Sequence, residues 1–290
     1  MNVLVTGHTG FIGSNMFSFL NEKNSIEVIG YSKSTGGDIF DLNQLMNVVK
    51  DCDLVYHFAA YAKPGESVYN PVHAIETNVK GCLNVLEACR KHNVSLIYPS
   101  SCEIYGNSIE PIKEEAPIKP LNPYAASKAA ADRICFSYNI CYDLDVKIVR
   151  FFNPYGPNQQ LNKIIPALYS QAIINKNLPV FGKEGKDTRD YVYISDIVNG
   201  LWLARNLISG EVINLATGRA TTNLEIANLI LELTGSNSEI SFVDYPKEFG
   251  NIKNQVGSFE KAKKEIGWYP KVRLEVGVEK TIDWLGTMEV

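Results

Sequence analysis

The sequence predicts an α/β protein: a doubly wound parallel sheet completed by a smaller C-terminal lobe. Three observations predict it. Apolar, β-rich runs alternate with helical patterns through the first two-thirds of the 290 residues, which is the order of a sheet wound with crossover helices. Those runs are apolar throughout, as in parallel strands buried on both faces. A glycine-rich turn joins the first run to the first helical pattern.

The elements follow in order. "MNVLVTG" is a strand, and "FIGSNMFSFLNEK" is a helix with Phe11, Phe17 and Leu20 along one side. "SIEVIGYS" is the second strand, "NQLMNVVKD" a helix and "DLVYHFAA" the third strand. "PVHAIETNVKGCLNVLEACRKH" reads as one long helix, "VSLIYPSS" as a strand, "PYAASKAAADRICFSYNICYD" as a second long helix and "LDVKIVRFFN" as a strand. "PYGPNQQ" is a loop by its Pro, Gly and Asn content. "KIIPALYSQAIIN" is helical, "RDYVYISDIVNGLWLARNL" is a strand–helix unit, and "EVINLAT", "NLEIANLILELTG" and a terminal helix close the chain. The expected division is a dinucleotide-binding domain over 1–153, to which 190–216 returns, and a nucleotide-sugar lobe over 154–189 and 217–290. No repeat and no linker long enough to separate independent domains is visible, so the ligand site is expected in the cleft between lobes.

Composition narrows the class. A hydrophobic content of 45% supports a full core, and a net charge of −4 gives no polyanion-binding surface, so nucleic acid is not an expected partner. No apolar run approaches the roughly 20 residues that span a bilayer. "MNVLVTGHTGFIG" runs straight into a strand without a charged leader, so a cytoplasmic protein is expected. The six cysteines form no CxxC pair and the four histidines no ligand cluster. Reduced thiols and no metal site are expected.

In "TGHTGFIG", Gly7, Gly10 and Gly13 lie between strand and helix, with Phe11 and Ile12 opening the helix. Glycines permit the tight turn and close backbone approach. The helix N-terminus offers free N–H groups to a pyrophosphate, which makes the sheet Rossmann-type. The second strand ends in Tyr31, Ser32 and Lys33, with no acid to repel a 2′-phosphate and one cation to meet it. That leaves NAD or NADP open.

Tyr124 and Lys128 in "NPYAASKAA" lie four apart on a helix and share a face. A tyrosine is a poor base at neutral pH unless a nearby cation favours the phenolate. Ser101, at the preceding strand end, is placed to hold the same substrate hydroxyl. Together they suit proton transfer during oxidation of a secondary alcohol by a nicotinamide.

Over roughly residues 1–270 the chain resembles the extended short-chain dehydrogenase/reductases that modify nucleotide sugars, the epimerase/dehydratase family. The resemblance is carried in order by "TGHTGFIG", "GDI", "HFAA", "ETNVKG", "SSCEIYG", "YAASK", "RFFNPYGP", "RDYVYISD" and "EIGWYP". It implies an adenine-side pair at Asp38 and Ile39, a strand end beneath the cofactor at Phe58, Ala59 and Ala60, and a cofactor-side contact at Asn78. It also implies diphosphate contacts at Asn153 and Arg189, the arginine fork matching phosphate oxygens.

"HFAAYAKPGESV", with Ser67, and "RFFNPYGP" look like UDP-galactose 4-epimerases. In those enzymes the tyrosine takes the 4-hydroxyl proton, the 4-keto sugar turns over, and the tightly held cofactor is regenerated. Glu103 falls where 4,6-dehydratases place the glutamate that removes the C5 proton. The dTDP-glucose dehydratases add an aspartate where this chain has Cys102. The resemblance thus implies a 4-epimerase, with a 4,6-dehydratase or an NADPH-dependent 4-keto reductase as alternatives, and substrate contacts at Ser67, Ser101, Cys102 and Glu103. Family members commonly carry an Arg where "YPKEFGNIKNQ" has Glu248 beside Lys247. By the same analogy, a homodimer is expected through the helices at 71–92 and 122–142.

Overall fold

The computed structural model describes residues 1–245 and 252–288. In chain order the first elements are β1 (Asn2–Thr6), α1 (Phe11–Asn21), β2 (Glu27–Tyr31), α2 (Leu42–Val49), β3 (Leu54–His57), α3 (Pro64–Ser67), α4 (Pro71–Ile75), α5 (Gly81–His92), β4 (Ser95–Ser101), α6 (Pro123–Tyr142), β5 (Val146–Phe151) and β6 (Asn153–Tyr155). Then come α7 (Ile164–Ala172), β7 (Leu178–Phe181), β8 (Thr188–Arg189), β9 (Tyr191–Tyr193), α8 (Ile194–Ala204), β10 (Val212–Leu215), β11 (Thr221–Thr222), α9 (Asn223–Thr234), β12 (Ile240–Val243), β13 (Asn254–Gln255), α10 (Glu260–Ile266) and α11 (Leu274–Gly286).

Six strands form one sheet in the order β10-β5-β4-β3-β1-β2, and every pairing within it is parallel. The continuous apolar runs are explained by its two buried faces. Val3, Val5, Tyr56, Ile97 and Val149 enter one core, while Leu4, Val55, Leu96, Tyr98 and Ile148 enter the other. Alternate residues of each strand therefore both lose water, each large aliphatic side chain contributing roughly 1.5–3 kcal/mol. Because the strands are parallel, the segments after β1, β2, β3, β4 and β5 all emerge at one edge. The chain order reverses at β1, which lies between β2 and β3, and a ligand crevice opens at such a reversal.

Two expected elements are interrupted. The helix expected over 71–92 is α4 and α5 joined by a π-helical turn, Glu76–Lys80, a wider winding that places Asn78 toward buried partners. The strand expected to run to Asn153 ends at Phe151, and β6 pairs instead with β9. Outside this sheet the pairings are short: β7 with β12, and β8 with both β11 and β13. Among the described residues no helix is long and apolar enough to cross a membrane.

Candidate active site

The glycine turn is dictated by close contacts. Gly7 has φ +70°, and a Cβ there would lie 2.5 Å from the Ala59 nitrogen. A Cβ on Gly13 would lie 2.1 Å from the Gly7 carbonyl oxygen. Gly10 differs: a Cβ would meet only that same oxygen, at 3.3 Å, so packing alone does not demand a glycine there. Gly10 caps α1 without any side-chain hydrogen bond, and no acidic residue occupies the first turn. The first helical bond runs from the Ser14 amide to the Gly10 carbonyl (2.8 Å). The amides of Phe11, Ile12 and Gly13 thus precede the first i→i−4 bond and stand free for an anion. A dinucleotide pyrophosphate fits this cradle.

The β2 end braces the same turn. The Ser32 hydroxyl pairs with His8 Nδ1 (2.9 Å) and accepts from the Thr9 amide (3.3 Å). Lys33 opens a short 3-10 turn and is exposed. Asp38 is half-buried, its Oδ1 accepting from the Phe40 amide (2.9 Å). Ile39 is core: its side chain packs on Gly81, and its carbonyl accepts from Asn84 (2.9 Å). After β3, the Phe58 amide donates to the Thr6 carbonyl (3.0 Å) and the Ala59 amide to Thr6 Oγ1 (3.2 Å). These bonds hold Phe58, Ala59 and Ala60 half-buried beside Gly7.

Ser101, Glu103 and Tyr124 converge. Ser101 ends β4 and caps the 3-10 turn Cys102–Tyr105, its Oγ accepting from the Glu103 amide (3.2 Å). The Ser101 hydroxyl lies near enough to the Tyr124 phenol to favour its phenolate. Burial, followed by the Glu103 carboxylate, nevertheless raises the phenol above its ordinary value. Burial also raises Glu103, opposed by a hydrogen bond from Asn122 (3.0 Å) and by the charges of Lys163 and Arg189. The result is a protonatable carboxyl beside a protonatable phenol. Lys128 shares the Tyr124 face of α6, but its ammonium donates to the Pro99 carbonyl and lies 4.4 Å from the Tyr98 ring centroid. Burial lowers it to about 8. The expected push of this cation on the phenol is absent from the groups that act on Tyr124 in this conformation.

Three expected ligand contacts are otherwise engaged. Ser67 is wholly buried, donating to the Pro64 carbonyl and accepting from the Tyr124 amide (3.0 Å). It fastens the start of α6. Asn78 spends both amide hydrogens on Tyr61 (3.1 Å) and Ser127 (2.8 Å), and accepts from the Tyr61 amide (2.7 Å). It is a strut between the loop after β3 and α6. The Cys102 thiol is buried and donates to Gln255 (3.2 Å), with burial first among the causes that raise it well above its usual value.

At the start of β6, Asn153 donates to the Asp190 carbonyl (2.9 Å). Arg189 donates to the Thr188 and Ile252 carbonyls, both at 2.9 Å, and among the described residues forms no ion pair. It is half-buried and close enough to act on Glu103. Lys247 and Glu248 lie outside the described residues. Sequence reasoning missed Asn122, Lys163 and Gln255. Asn122 carried a signal: an Asn before Pro123 is an N-cap pattern, and its Oδ1 does cap α6 while Nδ2 reaches Glu103.

The family model described as "NAD dependent epimerase/dehydratase family" matches residues 3–216. A putative UDP-glucose 4-epimerase of Methanocaldococcus jannaschii is 32% identical, with 98% of each chain covered. The structure of UDP-glucose 4-epimerase from Thermotoga maritima with UDP-glucose superposes with a TM-score of 0.93 at 30% identity, covering 99% of both chains. The dTDP-glucose 4,6-dehydratase of Bacillus anthracis, solved with NAD, superposes with a TM-score of 0.90 at 30% identity, covering 100% of this chain and 97% of that one. With the glycine cradle at the sheet's reversal point and Ser101 and Tyr124 at the same edge, the chain is a member of the NAD-dependent epimerase/dehydratase family of enzymes.

Proposed function

We propose that the protein is a nucleotide-sugar 4-epimerase acting through a transient 4-keto sugar. The observation that carries this reading is the convergence of Ser101 and Tyr124, with the side chain at position 102 buried against Gln255. That pocket has an acid/base for O4 and no carboxylate at position 102 for a departing C6 hydroxyl. When bound, the nicotinamide dinucleotide supplies the acceptor and donor of hydride at C4. Tyr124 removes the proton from the sugar 4-hydroxyl while Ser101 steadies that oxygen. Lys128, lowered to about 8 by burial and still a cation at pH 7, stands one helical turn from Tyr124. Arg189 and Asn153 hold the diphosphate, leaving the sugar free to turn. After turnover Tyr124 returns the proton to O4, and the epimer leaves.

A second reading, a 4,6-dehydratase, is favoured by one observation. Glu103 lies beside Tyr124 with its carboxyl held by Asn122 and its acidity weakened by burial, as suits a base for the C5 proton. Incubation with UDP- and GDP-hexoses in heavy water, without added reductant, separates the two. The expected product has unchanged mass and is resolved as a second sugar by chromatography, and Glu103→Gln only dents its rate. Loss of one water with deuterium gained from solvent, abolished in Glu103→Gln, overturns the epimerase reading.

For the cofactor, NAD is supported by the solved neighbours. Lys33 and the absence of an acid at the β2 end support NADP as well. We propose a homodimer as the working assembly, supported by apolar side chains exposed on α4 and α6.

A further inference from the structure

The 3-10 turn that carries Glu103 is held from the opposite lobe by one side chain. Gln255 lies on β13 and is 1% exposed. Its Nε2 donates to the Cys102 carbonyl (2.9 Å) and to the Gly106 carbonyl (3.1 Å), the two ends of the turn. Its Oε1 accepts from the Cys102 thiol (3.2 Å). Both amide hydrogens and one lone pair are therefore spent on Cys102 and Gly106, which bracket Glu103. A buried amide making three such bonds fixes its partners more firmly than the single Ser101 bond at the turn's start.

The backbone of the same residue is tied to the diphosphate side. Gln255 pairs in register with Arg189, and its carbonyl accepts from the Asp190 amide (3.1 Å). Arg189 in turn donates to the Ile252 carbonyl (2.9 Å). Further bonds bind this segment on both sides: Thr188 to the Lys253 carbonyl (2.8 Å), Ser108 to the Asn254 carbonyl (3.0 Å) and Ile112 to the Val256 carbonyl (2.8 Å). One short strand thus grips Arg189 on one edge and the Glu103 turn on the other.

We propose that Gln255 is a positioning residue for the reaction: it fixes the turn so that Glu103 stands beside Tyr124, and keeps the side chain of residue 102 out of the pocket. This rests on the reading of Ser101, Glu103 and Tyr124 as the reacting site. Its influence on Tyr124 acts through Glu103, so its effect on the pH profile of turnover vanishes once Glu103 has lost its charge.

The test uses Gln255→Leu, which removes every bond, and Gln255→Glu, which keeps size and the Oε1 acceptor but loses the two donors at neutral pH. Two readouts are taken. The first is maleimide labelling of Cys102, followed by peptide mass in a Cys141→Ser background. Labelling rises ten-fold or more in Gln255→Leu while NAD affinity stays within two-fold of the parent. An unchanged labelling rate in both variants overturns the hold, whatever reaction the enzyme performs. The second is the pH profile of turnover. Moving the Glu103 charge away from Tyr124 shifts the rising limb to lower pH in Gln255→Leu, as in Glu103→Gln, and the double variant shifts no further than Glu103→Gln alone. Additive losses with an unshifted profile make Gln255 merely structural and overturn the positioning role. A wild-type enzyme that turns over no nucleotide hexose sinks the functional reading, and the labelling result still decides whether Gln255 holds the turn.

Discussion

Lys128 is a buried cation without a carboxylate partner among the described residues. Burial brings it from an ordinary value of 10.5 to about 8, so between those values the unfolded chain binds a proton that the native chain has released. Stability then rises with pH through that window, and the penalty is full below about 8. Lys128→Met removes the charge, so at pH 7 it should unfold at higher denaturant than wild type, by up to about 3 kcal/mol. The gap should narrow at pH 9.5, while catalysis is lost. A gap equal at both pH values, in urea unfolding followed by circular dichroism, rules out the buried charge as its source. At this scale the sequence was only partly legible. Tyr124 and Lys128 follow from helical spacing, because partners one turn apart are fixed by local geometry. The fates of Ser67 and Cys102 do not, since their partners are Tyr124 and Gln255, 57 and 153 positions away. Only the folded chain decides whether a hydroxyl or thiol meets a ligand or a backbone amide.

At the scale of elements, the glycine turn separates folding from binding. A methyl at Gly13 drives into the Gly7 backbone at 2.1 Å, where neither partner is a flexible side-chain end. Gly13→Ala should therefore cost about 1–3 kcal/mol of stability as well as dinucleotide affinity. Gly10 has an ordinary backbone conformation, with φ −82°, and a Cβ there meets only the Gly7 carbonyl oxygen, at 3.3 Å, which must give by a few tenths of an ångström. Gly10→Ala should unfold within about 1 kcal/mol of wild type yet lose dinucleotide affinity on the order of 100-fold, because the methyl occupies the approach to the free amides. Thermal unfolding alongside titration with NAD and NADP checks both. Unimpaired binding in Gly10→Ala places the pyrophosphate elsewhere, and comparable wild-type affinities for the two dinucleotides show that Lys33 does not read a 2′-phosphate. The large elements were legible because each apolar run carries its own period. The short strands of the smaller lobe were not. β7 and β12 pair from Leu178 to Ile240 onward, and four residues carry too little pattern to announce a partner so distant.

The whole molecule leaves apolar surface on α4 and on α6, the helix that carries Tyr124 and Lys128. On α6, Phe136 and Ile140 lie one turn apart, with Ile140 65% exposed, and on α4 Val72 is 66% exposed beside Ile75. α5, by contrast, buries Cys82, Val85, Leu86, Ala88 and Cys89, so of the expected bundle α4 and α6 present the faces still open to a partner. A two-fold contact would set α6 against its symmetry mate, so each exposed residue is buried twice in one interface. A single charge there is likewise doubled. Ile140→Glu places two carboxylates near the axis with no cation supplied by either copy's substitution, which in a desolvated contact costs several kcal/mol. Light scattering on a sizing column should then give twice 32.3 kDa for the wild type and 32.3 kDa for Ile140→Glu. Because α6 begins with Tyr124 and Lys128, the separated variant should also lose turnover while keeping dinucleotide affinity, since the glycine turn lies on a different helix. A wild type that elutes at 32.3 kDa at micromolar concentration ends the dimer proposal and leaves the exposed face of α6 without this role.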